Sequence, residues 1–199
     1  MSSSLELIVG PVFSGKTTRL IERYNELTNS GKKCIAINYS SESSDGNNKM
    51  VSHDGLSIDC ISMTNLDENL SYNSEFVQAE FVLINDAQFF NKLKISIRYL
   101  IIILKKNVIL CGLDLDYKRE KFCELMELAS SANKIEFLRG KCSIEGCKLP
   151  SKFTDQIGTN KYIPVCQKCY KGHCTPTGFS AKKKIINFTN IEIYNETLY

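Results

Sequence analysis

No apolar run in this sequence approaches the length of a membrane span. The longest lies near Leu100 to Leu104, far short of the roughly 20 residues a helix needs to cross a bilayer. The opening Met1-Ser2-Ser3-Ser4 lacks the charged stretch and following apolar stretch of a secretory signal. Charge of one sign is not in excess either: 25 Lys and Arg face 22 Asp and Glu, a net +3 that argues neither for nor against nucleic acid. Internal repeats are absent. Nine cysteines without a secretory signal read as thiols and metal ligands in a reducing compartment, not as a disulfide framework. The expectation is a soluble cytoplasmic protein with no membrane partner. Its 199 residues suffice for one medium domain with a real core plus a small appendage.

What is present centres on Gly10-Pro11-Val12-Phe13-Ser14-Gly15-Lys16-Thr17, a full G-x-x-x-x-G-K-[ST] pattern between the apolar stretch Leu5–Val9 and a helix-like run. Its glycines let successive backbone N–H groups turn toward phosphate oxygens, and the following helix adds the positive end of its dipole. Lys16 then reaches the outer phosphates and the Thr17 hydroxyl can sit on Mg²⁺. A Gly-rich turn that binds nothing is the weaker reading, because strand, loop and helix signals coincide with the motif.

Leu20, Tyr24 and Leu27 mark a helix with one buried face that stops near Ser30-Gly31. Cys34–Asn38 reads as a buried strand, and Ser40 to Met50 as a polar loop. Ser52-His53-Asp54-Gly55 follows, then an ambiguous stretch to Asn73. Phe81–Ile84 is a second buried strand running into Asn85-Asp86-Ala87-Gln88-Phe89-Phe90. A carboxylate at the carboxyl end of a strand beside a phosphate loop serves Mg²⁺ or the attacking nucleophile, and Asp86 is the acid so placed. A helix through Leu93, Ile97, Leu100 and Leu104, a strand at Val108–Cys111, a helix from about Lys121 to Asn133 and a strand at Lys134–Leu138 complete the alternation. Strands alternating with helices imply an α/β fold with a parallel sheet flanked by helices. Gly112-Leu113-Asp114-Leu115-Asp116-Tyr117 leaves its strand at the ligand-binding edge of such a sheet. Composition changes at Arg139-Gly140, giving a nucleotide-binding domain over 1–139, a zinc-binding β-ribbon or lasso subdomain over 140–174 and a tail over 175–199.

Cys142 and Cys147 are separated by four residues, Cys166 and Cys169 by two, and the pairs by eighteen. Two such knuckles suit a tetrahedral Zn²⁺ with four thiolates, a closed shell and hence structural. His173 or Cys174 is an alternative ligand. The tail carries Lys182-Lys183-Lys184, read as a solvated face, and loosely alternating residues that leave disorder and an edge strand both open. By residue type alone His53 caps a loop, Asp54 is a turn residue, Phe89 and Phe90 are core, and Asp114 caps a helix.

Taken in order, these motifs resemble the thymidine kinases of the P-loop-plus-zinc type, over about residues 5 to 170. Gly10–Thr17 is similar to that family's G-P-[MV]-F-[SA]-G-K-[ST] loop. Ser52–Gly55 resembles its His-containing segment near the triphosphate, and Asn85–Phe90 its D-E-x-Q-F-F motif. Gly112–Tyr117 with Phe122 resembles G-L-D-x-D-[FY]. Ile157-Gly158 with Lys161-Tyr162 and Val165-Cys166 resembles the nucleoside-clamping I-G-G-x-x-K-Y-x-x-V-C. The resemblance implies transfer of the γ-phosphate of ATP to the 5′-hydroxyl of thymidine with Mg²⁺, Asp86 accepting the proton, and a cytosolic tetramer; lacking a strongly basic face, the sequence is expected to engage no nucleic acid. The resemblance further implies His53, Asp54, Asn85 and Gln88 on the phosphate side. Phe89, Asp114, Tyr117, Phe122, Ile157, Gly158 and Tyr162 fall on the nucleoside side. The sequence departs from the family in having Asn85-Asp86 for Asp-Glu, a shorter lasso and a wider first Cys pair. An impaired nucleotide-binding relative, and a zinc-ribbon ATPase that binds nucleic acid, are the alternatives.

Overall fold

The computed structural model describes residues 3–40, 48–66, 68–157, 159, 161–170 and 194–198. In chain order these form β1 (Leu5–Val9), α1 (Lys16–Asn29), β2 (Cys34–Tyr39), β3 (Lys49–Val51), β4 (Ser57–Asp59), β5 (Ile61–Met63) and α2 (Ser74–Gln78). They continue with β6 (Phe81–Asn85), α3 (Leu93–Arg98), β7 (Asn107–Gly112), β8 (Lys134–Arg139), β9 (Phe153–Ile157), β10 (Lys161–Val165) and β11 (Tyr194–Leu198).

Seven strands make one sheet in the order β11-β8-β1-β7-β6-β2-β5, parallel except for β11. The period-two alternation of side chains sorts its apolar residues onto two faces. Leu7, Val9, Ile37, Val82, Ile84 and Leu110 enter one core with Phe76, Leu93, Ile97 and Leu100. Ile8, Ala36, Leu83, Ile109 and Cys111 face Leu20 and Ile21 of α1 in the other. Burial on both faces explains why these strands read as unbroken apolar runs. Because the inner strands are parallel, their carboxyl ends share one edge. The loops after β1, β6 and β7 therefore meet there.

α1 ends where expected, with Gly31 at φ 81° after it. Three expectations change. The run through Leu104 is α-helical only over Leu93–Arg98, then widens into a π turn over Tyr99–Ile103 in which Leu104 N–H donates to the Tyr99 carbonyl. Instead of a helix over 121–133, a tighter 3₁₀ segment spans Leu125–Ser131. Leu125 and Leu128, three apart, are both buried, which suits three residues per turn. Residues 48–63, read as loop and ambiguous chain, hold the antiparallel hairpin β3/β4 and edge strand β5. Met50 and Ile58 of that hairpin pack beside Leu20 and Ile21. The tail question resolves toward an edge strand for Tyr194–Leu198, antiparallel to β8. The remainder of the 175–199 tail, with Lys182-Lys183-Lys184, lies outside the described residues, as do His173, Cys174 and Gly158.

Candidate active site

The turn after β1 is shaped by close approach. A Cβ on Gly10 would run into the Leu138 carbonyl oxygen and Ser14 Oγ. Gly15, at φ 80°, is the N-cap of α1 and makes no side-chain cap; no acidic residue occupies the helix's first turn. The amide donors at this 14-residue helix's start are therefore left for an anion. The Lys16 ammonium donates to the Pro11 carbonyl at 2.8 Å. Burial lowers its pKa from the ordinary 10.5, opposed by Cys111, Asp86 and Asp114 nearby. Ser14 Oγ is buried without a hydrogen-bond partner.

β6 delivers the second group. Asn85, 5% exposed, closes the strand, and Asp86 follows in the left-handed region at φ 52°. That conformation costs a non-glycine residue roughly 1 kcal/mol, least for Asp and Asn, and swings the chain out of the strand direction at the sheet edge. Asn85 Nδ2 donates to Asn38 Oδ1 at 2.9 Å and to Asp86 Oδ2 at 3.0 Å, while Thr17 Oγ1 donates to Asn85 Oδ1 at 3.3 Å. Gln88 Nε2 donates to Asp86 Oδ1 at 3.3 Å, and its carbonyl accepts from Leu113 N–H at 3.1 Å. Gln88 thus ties the end of β6 to the segment after β7.

Hairpin β3/β4 brings the third. Its turn, Ser52–Gly55, sets the His53 ring 4.8 Å from that of Phe13. Asp54 accepts from Ser52 Oγ and, at 2.9 Å, from Thr18 Oγ1 at the start of α1. The Ser52 bond, outweighing desolvation and aided by Thr18, lowers the Asp54 pKa below its usual value.

The fourth wall is aromatic. Phe89, 44% exposed, meets Phe122 edge-on at 5.6 Å, and Tyr117 lies 5.8 Å from Tyr162 of β10. The Phe89–Phe90 pair therefore splits: Phe90 is core at 2% exposure and Phe89 is not. All four walls enclose one cleft of about 1350 Å³. Cavities for one drug-sized ligand run to about 1000 Å³, so this cleft is larger than one such ligand needs.

Of the residues picked out in the sequence, Val12 through Thr17, His53, Asn85, Asp86, Gln88, Phe89, Tyr117, Phe122 and Tyr162 line this cleft. Gly10, Pro11, Asp54, Asp114 and Ile157 are not on its wall. Gly10 and Pro11 shape the loop from behind. Asp114 is buried, accepts from its neighbour Leu115 N–H at 3.0 Å and faces Arg139 at 3.8 Å; it caps no helix. Burial raises its pKa, against the pull of Arg139 and Lys16. Ile157 packs with the cysteine-bearing cluster. Sequence reasoning passed over Asn38, Ser143 and Thr154, which are on the wall, and quoted Lys161 within the lasso motif without assigning it to the site, where it also lies. Thr154 Oγ1 accepts from Val12 N–H at 3.1 Å, joining β9 to the glycine loop. Asn38 carried a usable signal, a polar residue ending a buried strand.

Cys142, Cys147, Cys166 and Cys169 come together with all four sulfurs within 4.8 Å of one another, and none is in a disulfide. A tetrahedron with metal–sulfur bonds near 2.3 Å puts sulfurs about 3.8 Å apart, and Cys147 to Cys166 measures 3.6 Å. The donor set fits one tetrahedral ion and is compatible with structural zinc. Burial, then the adjoining thiols of Cys166 and Cys147, pushes the Cys169 thiol up to about 12. A cation among the sulfurs removes that penalty. The widened first pair thus converges as well as the second.

The sequence model of one family, described as thymidine kinase, matches residues 3–170. The chain belongs to the thymidine kinase family. It is 32% identical over 187 residues to the thymidine kinase of Amsacta moorei entomopoxvirus, covering 84% of this chain and 97% of that protein. The thymidine kinase of Pseudothermotoga lettingae is 33% identical over 180 residues, covering 85% and 96%. A thymidine kinase of Oryza sativa is 29% identical over 182 residues, covering 83% of this chain and 65% of that protein. The family match spans the glycine loop, both motif-bearing strand ends and all four cysteines. Among the described residues no helix is long and apolar enough to cross a membrane.

Proposed function

We propose that the protein is an ATP-dependent thymidine kinase, which moves the γ-phosphate of ATP to the 5′-hydroxyl of thymidine and releases dTMP. The observation that carries this is the shared cleft, in which a phosphate loop, a strand-end carboxylate and an aromatic wall face one another.

Phosphoryl transfer asks the protein for alignment and charge stabilisation more than for covalent chemistry. The amides of residues 12–17 hold the phosphates and Lys16 neutralises the outer ones. Thr17 would hold Mg²⁺, with Asn85 beside it, and an ion held there would offset negative charge on the outer phosphates. His53 stands over the phosphate side on its hairpin, and Asp54 supports it from behind through Thr18. Asp86 accepts the 5′-hydroxyl proton as that oxygen attacks. Gln88 steadies its carboxylate. Tyr117 and Phe122 lie along the pyrimidine, with Phe89 beside them, while Tyr162 helps fix the nucleoside and the family resemblance assigns backbone at Ile157 and Gly158 to the base edge. Asp114 holds the start of the segment that carries Tyr117, accepting from Leu115 N–H.

The four cysteines take a structural Zn²⁺. Residues 1–139 serve as the nucleotide-binding unit, 140–174 as the zinc-bearing lasso and 175–199 as a tail. The partners are ATP and thymidine, with assembly into a cytoplasmic homotetramer and no binding of nucleic acid or membrane. Light scattering of the purified protein reports the assembly.

The test of function is transfer of labelled γ-phosphate from ATP·Mg²⁺ to a panel of nucleosides, with Asp86→Ala as control. Label on thymidine that disappears in the variant supports the reading. Preference for another nucleoside keeps the kinase and moves its specificity to the short lasso. Retained ATP binding with no transfer to any nucleoside refutes the enzyme.

A further inference from the structure

The residue that departs most from the family pattern, Asn85, has its hydrogen-bonding capacity largely used. The register of the sheet pairs Asn38 with Asn85 where β2 and β6 both end. One Nδ2 proton of Asn85 goes to Asn38 Oδ1 at 2.9 Å and the other to Asp86 Oδ2 at 3.0 Å. The carboxylate decides which way this amide points, because only the nitrogen can face it. Asn85 Oδ1 is thereby turned to the Thr17 hydroxyl, 3.3 Å away. Asn38 Nδ2 is in turn held by the Tyr39 carbonyl at 3.2 Å, so its oxygen stays aimed at Asn85.

We propose that Asn38 and Asn85 form a neutral amide clamp that positions the Asp86 carboxylate for the transfer reaction, with Asn38 acting at one remove through Asn85. The proposal rests on the kinase reading above. A carboxylate at position 85 would meet Asp86 Oδ2 and Asn38 Oδ1 with no proton for either. It would push Asp86 away from its place. An acid at this position, which the family pattern calls for, is therefore harmful in this chain. A further consequence is that Asn38, although on the cleft wall, works by orienting its neighbour and not by holding substrate.

The experiment combines steady-state kinetics on full-length protein with side-chain amide NMR. Asn38→Ala is expected to lower kcat roughly ten- to a hundredfold, with KM for ATP and thymidine within about twofold. In an Asn85→Ala background the same change is expected to cost nothing further, since the shared path is already broken. The isosteric Asn85→Asp is expected to lower kcat, not raise it. Additive losses, a rise in KM at constant kcat for Asn38→Ala, or a faster Asn85→Asp enzyme would each overturn the clamp. NMR tests it without turnover. The Asn85 side-chain NH₂ in unliganded wild type should exchange slowly with solvent and lose that protection in Asn38→Ala. Fast exchange in wild type refutes the clamp even if thymidine is phosphorylated. A slow pair in a protein that phosphorylates no nucleoside refutes the kinase reading alone.

Discussion

At the scale of single residues the proposed transfer turns on Asp86. Its backbone sits at φ 52° and its two oxygens are held by Asn85 and Gln88. A group that takes a proton in the transition state contributes about 10²–10⁴ in rate. Asp86→Ala should lose that much in kcat while ATP binding, followed by calorimetry, changes little. Asp86→Glu should recover part of it. Asp114 gives a prediction with a definite sign. Burial raises its folded pKa above the ordinary 3.8, so the folded state binds this proton more tightly than the unfolded chain. Its contribution is therefore lost as pH rises through the interval from 3.8 upward. The Tm of Asp114→Asn relative to wild type should increase as pH is raised from about 4 toward neutrality. A constant difference would show that the carboxyl titrates normally.

At the scale of elements, the aromatic wall is tied to the cysteine cluster. Tyr170, directly after Cys169, donates its hydroxyl to the Tyr117 carbonyl at 2.7 Å and lies 5.5 Å from Phe153 of β9. The Arg119 guanidinium stacks 4.3 Å over that Phe153 ring. One hydrogen bond is worth about 1 kcal/mol net, or roughly fivefold in affinity. Tyr170→Phe should therefore raise the thymidine KM several-fold, leaving metal content and the ATP KM unchanged. An unchanged thymidine KM would mean that Tyr117 is held by the rest of its loop. The hairpin β3/β4 makes a similar link on the phosphate side, where burial of Met50 and Ile58 against α1 holds the Ser52–Gly55 turn over the glycine loop. Its strands have three residues each, too short for a strong periodic signal. That is why its motif was legible while its fold was not.

At the scale of the whole molecule, the cysteine unit and the sheet are joined through the site. Gly140 N–H donates to Ser151 Oγ at 2.9 Å, and Thr154 reaches Val12 across the loop. Chelation should release one metal per chain, lower Tm and weaken nucleoside binding more than ATP binding. Loss of metal without any change in Tm would deny it a structural role. ATP·Mg²⁺ at about a hundred times its Kd should stabilise the fold by roughly 2.7 kcal/mol, read as a rise in Tm. Lys16→Ala should abolish that rise.

Local chemistry was readable without coordinates. The glycine loop, the strand-end Asn85-Asp86, the alternation of strands and helices and the paired cysteines are short-range patterns, each set by backbone geometry or ligand spacing within a few residues. The structure agrees with the α/β fold and brings the four cysteines together. What only the tertiary structure decided depends on contacts between distant segments. Phe89 faces the cleft and Phe90 the core because the chain turns at Asp86. Asp114 is aimed at Arg139 by the pairing that places β8 beside β1. Residues 99–103 form a π turn and 125–131 a 3₁₀ segment, the latter with Leu125 and Leu128 buried three apart. Asn38 meets Asn85 through strand register across 47 residues. Sequence periodicity reports which face of an element is buried; which residue waits on the other side is set when the elements pack.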